Sequence, residues 1–228
     1  MRKLATLFML FLSWALAGCE DAATVTLRVT MEVEANGTPY TSSSVINMRY
    51  STGYTFLKSA GYTTVDTFGR HAPYVRIGEA AVLFLPFLGG MSPQIGLREV
   101  IAIAYALPSN ARQMTEYLRP ISNSSGVVTY PLSNRYASQI AFIYLPNRMV
   151  PTTARRKTMK ELASEDGIAI KAIRLERVSE PMTDTIKIVL PWIDLTTRDQ
   201  PIYRRLPYIN EPGDHLINII LGNLDGEE

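Results

Sequence analysis

TVTLRVTMEVE, residues 24–34, alternates polar and apolar side chains without a break. A period of two with β-branched residues at apolar positions is typical of a strand that buries one face. Asn36-Gly37 follows, and this dipeptide accepts positive φ angles and favours a tight hairpin turn. We therefore expect residues 40–50 to return as the partner strand. The apolar side chains that should face the core are Val25, Leu27, Val29, Met31 and Val33.

Further apolar stretches predict six more strands, and several of them have apolar residues at consecutive positions, which is typical of strands covered on both faces. They are residues 74–88, 99–107, 139–145, 168–178, 185–190 and 216–221. Helical signals are fewer. Asn110 and Gln113 could cap a short helix that ends at Pro120, and Thr158 with Glu161 has the spacing of a capping box. The predicted fold is mainly β and sandwich-like, or α+β, with two short helices.

The N-terminus carries the signal for location. Leu16-Ala17-Gly18-Cys19 follows the basic residues Arg2-Lys3 and an apolar run over residues 4–17, which is the order of a secretory signal. The run is shorter than the roughly 20 apolar residues that a membrane-spanning helix needs. The spacing resembles the lipobox of bacterial lipoprotein precursors. That resemblance implies removal of residues 1–18 and attachment of acyl chains to Cys19, the one cysteine of the chain.

Processing at Cys19 also changes the charge of the chain. The precursor has 23 Lys and Arg against 21 Asp and Glu, and loss of Arg2 and Lys3 leaves 21 against 21. Nucleic-acid binding needs a clustered positive excess, so we expect no nucleic-acid partner. With the cysteine acylated, no disulfide can form, and the hydrophobic content of 46% must supply the core. The predicted organisation is a signal peptide over 1–18, a β-rich domain over 19–146, a candidate linker over 147–157, and a β-rich C-terminal segment over 158–228 that is a separate unit or part of the same domain.

Two histidines are the candidates for catalysis. His71 or His215, with Asp66 or Asp214 and a serine, could form a hydrolytic site, but the Gly-x-Ser-x-Gly elbow is absent. The histidines are 144 positions apart, so no ligand pair with metal-site spacing exists. We therefore expect no catalytic residue, no metal and no cofactor.

Two other local features have structural interpretations. The glycine-bearing stretch 89–96 lacks the Gly-Lys-Ser/Thr ending of a phosphate loop and precedes a predicted strand, so a strand connection is favoured. Glu79 lies within an apolar stretch, where a buried carboxylate needs a partner. A bulge at Gly78 could bring Arg76 to it, and a structural ion pair is favoured over an acid catalyst.

Two surface features could instead contact partners. Arg155-Arg156-Lys157 with Lys160 could touch anionic lipid head groups, although a solvated loop and helix start is the simpler interpretation. Near the C-terminus, tyrosines and prolines follow Trp192 and could form a binding surface or lie flat on the core. Those residues are Tyr203, Tyr208, Pro201, Pro207 and Pro212.

Three stretches resemble a family of uncharacterised alphaproteobacterial envelope proteins. They are Ser43-Ser44-Val45-Ile46 within the first hairpin, Gly78-Glu79-Ala80-Ala81-Val82, and Thr183-Asp184-Thr185-Ile186 followed by Leu190-Pro191-Trp192. The chain has Arg155-Arg156-Lys157 where such relatives have acidic turn residues. The resemblance implies an envelope location and no assigned activity.

Together, these features predict a lipid-anchored protein of the bacterial cell envelope, with its folded part in the periplasm. We expect it to be a binding or assembly module that meets the membrane through acyl chains on Cys19 and contacts an envelope protein partner. Two alternatives stay open. One is an envelope hydrolase that uses His71 or His215, and the other is a purely structural lipoprotein.

Overall fold

The computed structural model describes residues 22–52, 62–66, 73–88, 93–108, 114–133, 137, 140–150, 153–181 and 183. Its strands are β1 (Ala22–Ala35), β2 (Thr38–Thr52), β3 (Tyr62–Asp66), β4 (Tyr74–Ile77), β5 (Ala80–Leu88), β6 (Val128–Thr129), β7 (Ile140–Leu145), β8 (Arg155–Thr158) and β9 (Ile168–Arg177). Its helices are α1 (Pro93–Ala104), α2 (Met114–Asn123) and α3 (Met159–Asp166).

The described strands form two antiparallel sheets. One has the order β3-β2-β1-β9-β6 and the other the order β4-β5-β7-β8. Buried side chains of both sheets and of all three helices, such as Leu97, Ile121 and Leu162, belong to the same hydrophobic core. The expected fold class, mainly β or α+β, is confirmed. The described part contains three helices where the sequence predicts two.

The first hairpin forms as the alternation predicts. Val25, Leu27, Val29, Met31 and Val33 are all buried, and the opposite face of β1 is half-exposed or exposed. β1 and β2 pair in continuous register from Ala22 opposite Ser51 to Ala35 opposite Thr38. Asn36 and Gly37 make the turn with φ angles of 50° and 80°. Two adjacent positive φ angles are those of a type I′ turn, the connection that matches the twist of two antiparallel strands.

Ser44 is a polar side chain on the core face of β2. It lies opposite Val29, is 1% exposed, and its hydroxyl has no hydrogen-bond partner within the described part of the chain. A buried hydroxyl without a partner costs free energy because it gives up water and gains nothing in return.

Removing that hydroxyl should therefore stabilise the fold. Ser44→Ala is expected to raise the free energy of unfolding by about 1 kcal/mol in urea titrations. Ser42→Ala, on the same face but half-exposed, is the matched control and should change stability by less than about 0.5 kcal/mol. A loss of stability in Ser44→Ala would show that the hydroxyl is bonded.

The predicted strand over residues 99–107 is wrong, because most of it belongs to helix α1. Leu97, Val100, Ile101 and Tyr105 are buried at the spacing of one helix face. The helix ends in a Schellman motif, in which the N–H of Leu107 donates to Ala102 O at 2.8 Å and that of Ala106 donates to Ile103 O at 3.3 Å. Ala106 has a φ of 50°, where glycine is the usual residue.

Glycine at this helix end should be more stable than alanine. We expect Ala106→Gly to raise the free energy of unfolding by up to about 1 kcal/mol, because the left-handed conformation costs glycine no steric strain. The control is Ala102→Gly, inside the same helix, which should lose about 1 kcal/mol. Equal destabilisation by both changes, measured by thermal melting, would contradict the assigned helix end.

Both helices predicted from sequence are present, but the predicted end of the first is wrong. α2 includes Met114, Tyr117 and Leu118 as expected, but Pro120 lies inside the helix, which continues to Asn123. The capping box of α3 is confirmed, with Thr158 and Glu161 hydrogen-bonded to each other in both directions. Hydrogen bonds from the Thr158 backbone and side chain hold the pKa of Glu161 below its ordinary value.

The predicted strand over 74–88 is a hairpin. β4 and β5 pair through a two-residue turn at Gly78-Glu79, with Ile77 opposite Ala80. The strand predicted over 139–145 is confirmed as β7, and that over 168–178 as β9. The strands predicted over 185–190 and 216–221 lie outside the described residues.

β9 connects the C-terminal part of the chain to the first hairpin. It lies between β1 and β6, and its register on β1 shifts so that Lys171 has no opposite residue. Residues 155–157 of the candidate linker belong to β8, which pairs with β7. At the other end of β9, the Gly167 carbonyl accepts a 3.1 Å hydrogen bond from the Asn36 N–H, so the α3–β9 junction is attached to the β1–β2 turn.

Candidate functional site

A polar cluster surrounds Arg28, on the face of β1 that points away from the core. Arg28 lies opposite Glu176 of β9, and its guanidinium donates to the carboxylates of Glu176 and Glu180. These two hydrogen bonds, that to Glu180 first, raise the pKa of Arg28. The cation is therefore fixed between two carboxylates.

The chain after β9 crosses this face of the sheet. The Val178 N–H donates to Thr26 O, and Thr183 then reaches Val45 on β2. There the Val45 N–H donates to Thr183 Oγ1 at 2.9 Å, and the Thr183 N–H donates back to Val45 O at 3.2 Å. Val178 thus extends the pairing of β9 with β1, and Thr183 attaches the following part of the chain to β2.

An open depression of about 450 Å³ lies beside this crossing. Its lining is mostly polar: Arg28, Glu176, Arg177, Glu180, Ser124 and Ser179. Arg177 donates to the Ser122 carbonyl at the end of α2 at 2.9 Å, and Ser124 Oγ donates to Gly126 O at 3.2 Å. The depression offers donors and acceptors side by side, which suits hydrogen bonding to a polar ligand.

The same depression is poorly equipped for catalysis. Among the residues that line it, its serines have no histidine or lysine, the bases that commonly activate a serine hydroxyl. Nearby, burial raises the pKa of Tyr105 to about 12, and the charge of Glu176 contributes to that rise. Within the described ranges, no three His, Cys, Asp or Glu side chains are grouped so that they could hold a metal ion.

The candidate residues for acylation and hydrolysis lie outside the described residues. These are Cys19, His71, His215 and Asp214, and the C-terminal stretch with Trp192 and the tyrosines lies outside as well. Of Asp66, the structure gives the backbone position, at the end of β3 opposite Met48. The described part of the chain therefore brings none of the proposed Ser-His-Asp partners together.

The expected ion pair between Arg76 and Glu79 does not form. Glu79 is an exposed residue of the β4–β5 turn and not part of a buried strand, so it needs no buried counter-charge. Arg76 Nε instead donates to the Gly78 carbonyl at 3.1 Å. The reason is that the apolar stretch is interrupted by a turn, which places both side chains at the surface.

The strand predicted to follow the glycine-bearing stretch 89–96 is wrong. A helix and not a strand follows it, because α1 begins at Pro93. Residues 89–92 lie outside the described part of the chain. The ending Gly-Lys-Ser/Thr is still missing, so the stretch lacks the lysine and hydroxyl of a phosphate loop.

The basic run is divided between an ion pair and open surface. Lys157 Nζ contacts Glu165 at 3.0 Å and Asp166 at 2.5 Å, and it lies 5.3 Å from the centre of the Tyr144 ring. Although partial burial acts to lower it, these carboxylates raise the pKa of Lys157. Arg155 and Lys160 are exposed.

Comparison with protein-family models, with curated proteins and with solved structures gives no match. Among the described helices, none has both the length and the apolar character that crossing a bilayer requires. The geometry of the described residues is therefore the guide to candidate sites.

The Arg28 cluster is the site that sequence reasoning missed. Arg28 and Glu176 are 148 positions apart, and each occurs at an ordinary polar position of an alternating strand. Only the β1–β9 register, which the sequence does not state, places them opposite each other.

Proposed function

We propose that this chain is a lipid-anchored protein of the bacterial cell envelope whose periplasmic domain is a binding or assembly module. The observation that carries the proposal is the order of basic residues, short apolar run and Leu16-Ala17-Gly18-Cys19 at the N-terminus. A relationship to the alphaproteobacterial envelope proteins belongs to the same proposal. The acyl chains would hold the protein at a membrane for its lifetime, because each buried methylene contributes about 0.8 kcal/mol.

The proposed anchor is close in sequence to the first strand. β1 begins at Ala22, three residues after Cys19. Three extended residues span only about 10 Å. An acylated Cys19 would therefore keep the first residues of β1 close to the head groups, and the domain would have little freedom to leave the surface.

The Arg28 depression supports a binding role over a catalytic one. It combines charged donors, carboxylates and hydroxyls on an open surface, and its lining contains no histidine or lysine that would activate a serine. Photo-crosslinking in the native envelope from Ser179, an exposed lining residue, should give a discrete adduct with a partner. The same probe at exposed Thr115 of α2 is the control and should give none.

Each alternative function predicts a different outcome. If the protein is a hydrolase, His71→Ala or His215→Ala should abolish its function in cells and leave the crosslinking pattern unchanged. A purely structural lipoprotein would give no adduct at Ser179, and it would tolerate both histidine substitutions.

Acylation has its own decisive test. Cys19→Ser should abolish incorporation of labelled fatty acid and leave an unprocessed precursor, because the serine hydroxyl cannot form the thioether that Cys19 would carry. The control is Gly18→Ala, which keeps a small residue before the cut and should be labelled normally. Continued labelling of Cys19→Ser would disprove the anchor.

A further inference from the structure

An exposed apolar pair lies in the connection between β7 and β8. Met149 is 50% exposed and Val150 is 38% exposed, and with Val127 they are the large apolar side chains that the described surface leaves open to water. We call residues Arg148, Met149 and Val150 the β7–β8 tip. Two adjacent apolar side chains in water represent a cost that contact with an apolar phase would relieve.

Hydrogen bonds fix the shape of the tip. Asn147 accepts the Met149 N–H on its side-chain oxygen and the Val150 N–H on its carbonyl, each at 3.0 Å. Thr153 closes the loop by donating its N–H to Val150 O at 3.0 Å. The Arg148 N–H donates to Glu79 O at 2.9 Å, which ties the tip to the β4–β5 turn. The apolar pair is therefore presented by an ordered backbone, so little conformational entropy is lost when it binds.

The surroundings of the tip carry an excess of positive charge. No Asp or Glu occurs from Tyr117 to Lys160. Lys157 is matched by Glu165 and Asp166. On the tip, the β4–β5 hairpin, β8 and α3, the other charged groups are five cations against two carboxylates. The cations are Arg76, Arg148, Arg155, Arg156 and Lys160, and the carboxylates are Glu79 and Glu161.

We propose that the β7–β8 tip is a second membrane contact, in which Met149 and Val150 enter the head-group region of an anionic bilayer while the neighbouring arginines meet lipid phosphates. An apolar pair beside basic residues is the composition of interfacial membrane contacts. The contact is small, so it depends on the high local lipid concentration that the anchor of the proposed function supplies. The proposal therefore rests on acylation of Cys19.

The position of the tip then determines how the domain lies on the membrane. Lys157 links Tyr144, at the base of the tip, to Asp166, and the next residue, Gly167, binds Asn36. These contacts connect β7, the strand that leads into the tip, to the Asn36 end of β1. β1 has 14 residues, which span roughly 45 Å, and Cys19 precedes its first residue, Ala22, by three positions in the sequence. We therefore expect contact at both points to hold β1 along the bilayer.

A fluorescent probe at the tip tests this directly. In the acylated chain Cys19 is blocked, so Met149→Cys supplies the one free thiol for an environment-sensitive dye. The labelled protein is reconstituted into vesicles of phosphatidylcholine with or without phosphatidylglycerol. We expect the dye emission to shift to the blue on vesicles that contain phosphatidylglycerol. On vesicles of phosphatidylcholine alone, we expect no shift. Arg155→Gln should reduce the inserted-to-free ratio about fivefold, the equivalent of about 1 kcal/mol per basic residue at an anionic surface.

The matched control is Val127→Cys, a similarly exposed apolar position, which should stay in water on both vesicles. Vesicle flotation reports the anchor separately. If the protein floats and the dye at 149 stays in water, the tip proposal fails and the anchor stands. If protein purified from cells carries no acyl chains and does not float, the proposed function fails. If unacylated protein shifts the dye at 149 as strongly as acylated protein does, the dependence of the tip on the anchor is overturned. An equal shift at 127 and 149 overturns the tip as a specific contact.

Discussion

Leu27→Asp is expected to abolish the folded state. Leu27 is 0% exposed, in the central strand of the five-stranded sheet, opposite Ile46 of β2. Burying a leucine side chain contributes about 1.5–3 kcal/mol. A carboxylate in its place adds a desolvation cost of several kcal/mol more. The sum of about 5 kcal/mol or more reaches the whole stability of a typical domain.

Urea unfolding followed by circular dichroism measures this effect. The matched control is Thr30→Asp, on the half-exposed face of the same strand, which should cost about 0.5 kcal/mol or less. Thr26→Asp should fall between the two, because Thr26 is half-buried and its hydroxyl donates to Asn47 at 2.7 Å. If Thr30→Asp were as damaging as Leu27→Asp, both faces of β1 would have to be covered.

Gly167→Ala is expected to destabilise the fold by about 2 kcal/mol. Gly167 ends α3 with a φ of 65°, a conformation that costs residues with a Cβ about 1–2 kcal/mol. A Cβ there would also lie 2.6 Å from Asn36 Oδ1, closer than nonbonded atoms approach. The main strain would therefore lie at the end of α3, and the Asn36 side chain would have to turn away from the new Cβ.

Two comparisons separate these contributions. Gly126→Ala, where a Cβ meets no atom within 4 Å, should be almost neutral. Asn36→Gly removes the contacting amide, so Gly167→Ala should cost less in that background than in the native chain, as a double-mutant cycle of thermal unfolding would measure. Equal costs in both backgrounds would show that the Asn36 contact is irrelevant.

Local signals predicted the parts of the fold that local chemistry determines. The alternation in β1, the Asn36-Gly37 turn and the Thr158–Glu161 capping box depend on residues close in sequence. The sequence predicts a strand in place of α1 because the stretch from position 99 is rich in β-branched residues. The helical spacing of the buried residues becomes visible only when Leu97 is included. Pro120 was expected to end α2, yet proline removes only one helical hydrogen bond and the helix continues past it.

The remaining features depend on strand pairings that cannot be determined from a single sequence. Consecutive apolar residues in β9 suggested a strand covered on both faces. The structure instead shifts the register at Lys171, so that Ile170 and Ile173 both face the core on either side of a bulge. The Arg28 cluster depends on the same β1–β9 pairing. Its residues could not be selected from sequence, because many other polar residues occupy equivalent positions.

The position of β9 beside β1 also sets the order in which the protein can fold. β1 pairs with β2 through a two-residue turn, but its other neighbour begins 133 residues after Ala35, at Ile168. Closing so long a segment is slow because the entropy of the intervening chain must be lost before the pairing forms. Until residues 168–177 have been synthesised or translocated, one edge of β1 has no strand to pair with. The five-stranded sheet cannot be completed before then. A chain threaded through a membrane from its N-terminus would thus finish folding only on the far side.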